Sequence, residues 1–85
     1  MTKLFIASLK YDVDEDALSA VFSAIGPLAS CQVARDRQSG KSLGYGFVEF
    51  QSPNDAAEAL RRLDGSEIHG RHIVVKESTR RVNHA

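Results

Sequence analysis

The alternation of apolar and polar positions along the chain predicts four β-strands. Short apolar runs bounded by turn-forming polar residues occupy residues 3–9, 28–35, 43–50 and 73–76. A polar segment, DRQSGKS at residues 36–42, separates the second and third runs, so we expect these two strands to pair as a hairpin. A turn around His69 and Gly70 leads into the fourth strand.

Two segments between these strands show the spacing of amphipathic helices. The first begins at an Asp14 N-cap and ends at the Gly-Pro pair at residues 26–27. The second begins with SPND at residues 52–55, which combines an N-cap with a first-turn proline, and Gly65 closes it. The apolar residues expected to face the core are Leu18, Val21, Phe22 and Ile25 in the first helix, and Ala56, Ala59, Leu60 and Leu63 in the second.

The resulting order, βαββαβ, is that of the split βαβ or ferredoxin-like fold of the α+β class. In this fold a four-stranded antiparallel sheet carries both helices on one face. The other face is left open, and function is expected there. A chain of 85 residues holds one domain, which we expect to cover residues 1–78, followed by a flexible basic tail at residues 79–85.

Composition narrows the classes of function. Eleven Lys and Arg residues balance eleven Asp and Glu residues, which counts mildly against a nucleic-acid partner. The acidic residues concentrate in the predicted helices, however, and many basic ones lie on the strands, the loop and the tail, so the domain is expected to be electrically two-faced. A single cysteine, Cys31, excludes an intramolecular disulfide. With no apolar run of membrane-spanning or signal-peptide length, we expect an intracellular protein of the cytoplasm or nucleus.

Period-two alternation places three aromatic rings on the open face of the sheet. Val48 and Phe50 suit the side that meets the helices, so Tyr45 and Phe47 point to the other side. The same logic in the first strand puts Phe5 on the open side. Three exposed rings on adjacent strands form a platform on which unstacked nucleic-acid bases can lie.

Other residues beside this platform are candidates for contact with a nucleic acid. Gly44 and Gly46 alternate with the rings and are expected to leave room for close packing of the helices. The cations expected to meet phosphates are Lys3, Lys41 and Lys76, unless they are only solubilising surface charges. Further candidates are Gln32 and Val74 on the outer strands, Arg35 and Arg37 beside the loop, and Arg80 and Arg81 in the tail. As alternatives, Gln32 and Val74 only fill space, Asp36 pairs with either Arg35 or Arg37, and the tail arginines remain solvated.

Two segments resemble the signature motifs of RNA-recognition-motif (RRM) domains. LFIASL at residues 4–9 resembles the hexamer motif, and LGYGFVEF at residues 43–50 resembles the octamer motif. Both lie on the expected strands of the βαββαβ order, and the resemblance covers residues 3–77. It implies an RNA-binding function, and we expect the domain to bind two to four nucleotides of single-stranded RNA as a monomer without a cofactor. By this resemblance, Phe5 and Tyr45 lie under successive bases and Phe47 lies against the ribose between them.

The chain departs from the family pattern at two positions. The octamer usually opens with Lys or Arg, and Leu43 stands there, as in some family members that bind poly(A) or U-rich RNA. Lys41, two residues earlier, either replaces that cation in part or belongs to the loop. The hexamer often has Asn where this chain has Ser8, which weakens any contact or turn stabilisation by that side chain.

The sequence leaves functions of other classes as alternatives to RNA binding. A protein-interaction module would use the acidic helix face or a sheet edge, and a large exposed apolar patch on the helices would favour it. A tail or a dimer partner covering the rings is a further alternative. The chain has no phosphate-cradling loop and no nucleophile paired with a base, so no enzyme is expected. His69 and His72 lack further residues at ligand spacing, so no metal site is expected.

Overall fold

The computed structural model describes residues 1–78 and has the predicted architecture. Its strands and helices are β1 Lys3–Ala7, α1 Glu15–Phe22, β2 Leu28–Arg35, β3 Ser42–Phe50, α2 Pro53–Leu63, β4 Glu67–Ile68, β5 Arg71–His72 and β6 Val74–Glu77. Four strands form one antiparallel sheet in the order β2-β3-β1-β6, and β4 pairs with β5 as a separate two-stranded sheet. The ferredoxin-like fold class is confirmed.

The hydrophobic core lies between one face of the large sheet and the two helices. Alternate residues of the central strands are buried on this face, as period-two alternation requires. The fully buried side chains include Leu4, Ile6, Val48 and Phe50 of the sheet, Leu18 and Phe22 of α1, and Ala56 and Ala59 of α2. The rings of Phe22 and Phe50 meet across this layer with their centroids 6.5 Å apart. Among the described residues, no helix lies on the other side of the sheet.

Each helix begins at the predicted cap. The carboxylate of Asp14 accepts a hydrogen bond of 2.9 Å from the Ala17 amide, and the hydroxyl of Ser52 accepts one of 3.2 Å from Asn54. The first helix ends at Phe22, about one turn earlier than predicted. Beyond this residue the Ile25 amide donates to the Phe22 carbonyl at 3.0 Å, so the chain tightens into a turn before Gly26. Ile25 still packs against the core.

The first strand and the segment before the last strand also differ from the prediction. The first strand stops at Ala7, because Ser8 has a left-handed backbone with φ of 61°. The predicted turn at His69 and Gly70 is present, with φ of 52° and 83°, but the two short strands on either side of it were not predicted. Two-residue strands have too few positions for an alternating pattern to be recognised.

The two glycines of the third strand serve a different purpose from the one predicted. A Cβ atom on Gly46 would lie 2.5 Å from the carbonyl oxygen of Gln32 in β2, so Gly46 allows close approach of that strand rather than of a helix. A Cβ atom on Gly44 would lie 3.3 Å from the ring of Tyr11, and this glycine has a φ of 87°. The strand register between β2 and β3 shifts beside it, between Val33 and Arg35.

No helix within residues 1–78 is long and apolar enough to cross a bilayer.

Candidate nucleic-acid interface

The rings of Phe5, Tyr45 and Phe47 form one continuous surface on the sheet face opposite the helices. The ring centroid of Phe5 lies 5.7 Å from that of Tyr45 and 5.5 Å from that of Phe47, and the latter two are 6.3 Å apart. All three side chains are partly buried against each other while keeping solvent exposure. The structure therefore brings together the three rings that alternation predicted.

One row of side chains crosses this face from edge to edge. Gln32, Phe47, Phe5 and Lys76 are successive cross-strand partners in β2, β3, β1 and β6. Neighbouring strands are about 4.8 Å apart, so the two rings at the centre of the row are flanked at once by an amide on one side and a cation on the other. Tyr45 lies two residues before Phe47 on the same strand and borders this row.

The three predicted lysines occupy different positions. The Nζ atom of Lys3 lies 5.2 Å from the ring centroid of Phe47, within the range of a cation–π interaction. Lys76 is exposed at the end of the row. Lys41 lies in the hairpin loop, one residue before β3, where its carbonyl accepts a hydrogen bond of 2.8 Å from the Asp36 amide. Two of the three lysines thus adjoin the rings directly.

The loop between β2 and β3 is organised by Asp36. Its carboxylate accepts hydrogen bonds from the amides of Ser39 at 2.9 Å and Gln38 at 2.8 Å, and these bonds lower the pKa of the Asp36 carboxyl. Asp36 is therefore engaged with the loop backbone, whereas the Arg35 guanidinium bonds to Glu15 of α1 at 2.9 Å. Arg37 is exposed in this loop.

Glu15 holds the edge strand β2 against α1. One carboxylate oxygen accepts a hydrogen bond of 2.9 Å from the Val33 amide and the other bonds to Arg35. The bond from Val33 and then that from Arg35 lower the pKa of the Glu15 carboxyl. Because Val33 directly follows Gln32, this contact also positions the backbone of Gln32, whose side-chain amide lies at the end of the row. In the sequence, an acidic residue at the position of Glu15 indicates only the start of a helix and not a contact with β2.

The sequence interpretation also assigned no function to two residues beside the rings. Glu49 is the cross-strand partner of Lys3, and its carboxylate accepts a hydrogen bond of 3.3 Å from the Thr2 hydroxyl. Its place next to Phe47 puts a negative charge on the platform. Tyr11, in the segment between β1 and α1, is 73% exposed and packs on Gly44. The signal available in the sequence was an aromatic residue two positions after the hexamer.

The two histidines lie apart from the rings. His69 Nδ1 lies 3.1 Å from a carboxylate oxygen of Asp12, which lowers the pKa of that carboxyl, and His72 Nδ1 lies 2.9 Å from the Gly65 carbonyl oxygen. Within residues 1–78, no group of three or more His, Cys, Asp or Glu side chains is arranged to hold a metal ion. Arg80 and Arg81, the predicted tail contacts, lie outside the described residues.

The comparison with protein families agrees with these motifs. The family model described as RNA recognition motif matches residues 4–74, which include both strands that carry the rings. The chain belongs to the RNA-recognition-motif family. The RRM resemblance inferred from the two motifs is thus confirmed, and this family is in general non-enzymatic.

Known RRM proteins resemble this chain in both sequence and structure. It is 39% identical over 82 residues to the glycine-rich RNA-binding protein 3, mitochondrial, of Arabidopsis thaliana; the match covers 96% of the chain and 26% of that relative. The structure of a SXL-lethal protein/RNA complex matches with a TM-score of 0.90 and 33% identity, over 95% of this chain and 48% of that one. The Rna15 RRM with bound RNA (GU) matches with a TM-score of 0.83 and 29% identity, over 92% and 83%.

Proposed function

We propose that this RRM domain binds single-stranded RNA across the open face of its sheet. The observation that carries the proposal is the cross-strand row in which Gln32 and Lys76 flank the rings of Phe47 and Phe5. Each ring offers an apolar face to a base, and the flanking amide and ammonium groups suit base edges and phosphates, respectively. The RNA-bound structures that the chain resembles support this proposal.

The register favours a specific division of tasks among the rings. An RNA strand that crosses the sheet meets successive strands in one row, so neighbouring bases would stack on Phe5 and Phe47. Tyr45 borders the row and would contact the ribose between those bases. This division exchanges the positions that the family resemblance implies for Tyr45 and Phe47, and we propose it on the strength of the direct pairing of Phe5 with Phe47.

Phosphate contacts and base stacking together determine the expected affinity for RNA. Lys3 and Lys76 would meet phosphates, with Lys41 contributing from the loop, and Arg80 and Arg81 remain predicted contacts from the tail. Stacking contributes about 1–3 kcal/mol per base, and the cost of association offsets part of it. One isolated domain that holds two to four nucleotides is therefore expected to bind at roughly micromolar Kd at best.

The exposed surface supports RNA binding over a protein-interaction function. Among residues 1–78, the exposed large hydrophobic side chains are Met1, Tyr11 and Leu43, and none of them belongs to a helix. The apolar patch on the helices that would favour a protein partner is thus not found in this part of the chain. The rings of the sheet face, in contrast, remain accessible.

An NMR titration with short oligoribonucleotides tests the proposal. Isotope-labelled protein is titrated with hexamers of U, C and A and with a mixed GU hexamer at about 50 mM salt, a concentration at which phosphate contacts are strong. We expect saturable amide shifts centred on Phe5, Phe47 and Lys76, and we expect Phe47→Ala to abolish them. The absence of saturable shifts with every hexamer would refute RNA binding by this domain.

Matched variants separate the two charged faces and the two divisions of tasks. Lys76→Ala removes a cation beside the rings and should reduce the slope of log Kd against log salt by about 0.7, whereas Arg61→Ala removes one on α2 and should leave it unchanged. Phe47→Leu should weaken binding more than Tyr45→Leu if Phe47 carries a base. The reverse order would support the division implied by the family resemblance.

A further inference from the structure

A second cross-strand row, made of polar side chains, runs beside the row of rings. Glu49 of β3 is the cross-strand partner of Ser30 in β2 and of Lys3 in β1. Each of these residues lies two positions along its strand from a member of the ring row, so all three share the open face. Glu49 follows Phe47, whereas Tyr45 precedes it. The polar row therefore borders the rings on the side away from Tyr45.

The place of Tyr45 determines which way a stacked base points. In the proposed arrangement a base lies on Phe47 and its ribose lies against Tyr45. The Watson–Crick edge of a base lies at the end opposite to the ribose, and this edge is free to be read in single-stranded RNA. Residues on one face of a strand are about 7 Å apart, so the edge of a base on Phe47 is directed at Glu49.

The Glu49 carboxylate is held in place and can still accept hydrogen bonds. The side chain is half-buried, and one of its oxygens accepts a hydrogen bond of 3.3 Å from the Thr2 hydroxyl. An ionised carboxylate has about four acceptor sites, so both oxygens keep a free site. The Nζ atom of Lys3 lies 5.2 Å from the ring centroid of Phe47, and a base on that ring would displace it towards the edge of the base. The row thus presents two acceptors beside a cation.

This set of groups is complementary to one nucleobase. The Watson–Crick edge of guanine carries two adjacent donors, N1–H and the N2 amino group, next to the O6 acceptor. Uracil has a single N–H between two carbonyl oxygens, which a carboxylate repels. Adenine and cytosine each have one amino donor beside a ring nitrogen that accepts. A carboxylate can therefore form two parallel, charge-assisted hydrogen bonds only with guanine.

We propose that Glu49 makes the base position on Phe47 selective for guanine. Its carboxylate accepts hydrogen bonds from N1–H and from the N2 amino group, and the Lys3 ammonium donates to O6. The inference rests on the proposed RNA binding, with Phe47 carrying a base, and names the base that this position prefers. It also moves Lys3 from a phosphate to the edge of that base.

A set of single-substitution hexamers tests the selectivity. The Kd of the full chain is measured by fluorescence anisotropy with labelled hexauridylate and with hexamers that carry one guanosine, adenosine or cytidine at the fourth position. We expect the guanosine hexamer to bind about tenfold more tightly than hexauridylate. Glu49→Gln should remove most of this preference, because an amide offers one acceptor atom and opposes a guanine donor with its own NH2 group.

A matched variant controls for the change of charge. Glu77→Gln removes the same charge from β6, where Glu77 is the partner of the buried Leu4 and so alternates away from the rings. This variant should keep the tenfold preference for guanosine.

Inosine tests the two-bond contact directly. It keeps N1–H and O6 but lacks the N2 amino group. We expect the inosine hexamer to bind the wild type with a Kd between those of the guanosine hexamer and hexauridylate. Equal Kd values for inosine and guanosine would overturn the bidentate contact.

The outcomes distinguish this inference from the proposed function. If all four hexamers bind with equal Kd, or if the guanosine preference persists in Glu49→Gln, the role of Glu49 is refuted and RNA binding on the rings stands. A loss in Glu49→Gln that is the same for every hexamer also refutes it, since that is what a merely structural contact with Thr2 would produce. If no hexamer saturates the wild type, both proposals fail together.

Discussion

Replacing Glu15 by Ala should destabilise the domain and loosen the strand that carries Gln32. The Glu15 carboxylate makes two contacts, a hydrogen bond from the Val33 amide and an ion pair with Arg35, both at 2.9 Å. Strand β2 lies at the edge of the sheet, and Glu15 satisfies an amide on this strand. Val33 is buried, so its amide has poor access to replacement water once the carboxylate is gone.

The two contacts contribute unequally to stability. A buried donor left without its acceptor costs about 1–3 kcal/mol. The ion pair is worth less, because both side chains are 39% exposed and solvent screens them; we assign it about 0.5 kcal/mol. Glu15→Ala should therefore lower the free energy of unfolding by about 2 kcal/mol and the Tm by roughly 10 °C. Arg35→Ala, which removes only the ion pair, should cost about 0.5 kcal/mol.

Urea denaturation at several pH values checks this reasoning. The folded-state pKa of Glu15 lies below its ordinary value of 4.5, so its ionised form is the one that stabilises the fold. The difference between the wild type and Glu15→Ala should be complete above that value and disappear as the pH falls through the lower folded-state pKa. Equal losses for Glu15→Ala and Arg35→Ala at neutral pH would refute the assignment of most of the effect to the Val33 amide.

Three further predictions follow from contacts on the sheet. Gly46→Ala should destabilise the fold by about 1–3 kcal/mol in urea denaturation, because the new methyl group would meet the Gln32 carbonyl of β2 at 2.5 Å. Glu49→Gln removes a negative charge beside Phe47 and should strengthen the binding of hexauridylate roughly twofold at low salt, measured by anisotropy, with a smaller gain at high salt. Burial raises the pKa of the Cys31 thiol from 9.0 to about 11, so alkylation by iodoacetamide near pH 8 should be about 100-fold slower than for an unperturbed thiol.

Each of these predictions has an outcome that contradicts it. An unchanged urea midpoint for Gly46→Ala would show that β2 moves away from the new methyl group at no cost. A gain for Glu49→Gln that persists at high salt would point to a new contact made by the glutamine amide rather than to relief of screened repulsion. Alkylation of Cys31 at the rate of free cysteine would show that the thiol is not desolvated in solution.

Local periodicity was sufficient to identify the candidate rings. Strand residues alternate between the two faces and helix residues recur every three or four positions, so Phe5, Tyr45 and Phe47 could be assigned to one face before the strands were paired. The element order and the helix caps depend on similarly short-range patterns. These properties belong to neighbouring residues, which explains why the fold class could be predicted from the sequence alone. The family was inferred separately, from the resemblance of residues 4–9 and 43–50 to its two motifs.

The arrangement around the rings depended on contacts between distant parts of the chain. Strand order and register placed Lys76 beside Phe5, and they decided that Gly46 approaches β2 rather than a helix. Likewise, the contacts of Glu15 with Val33 and of Tyr11 with Gly44 join separate elements. Backbone amides and side chains in a sequence have many possible partners, and the packing of the whole domain selects among them. That selection required the tertiary structure.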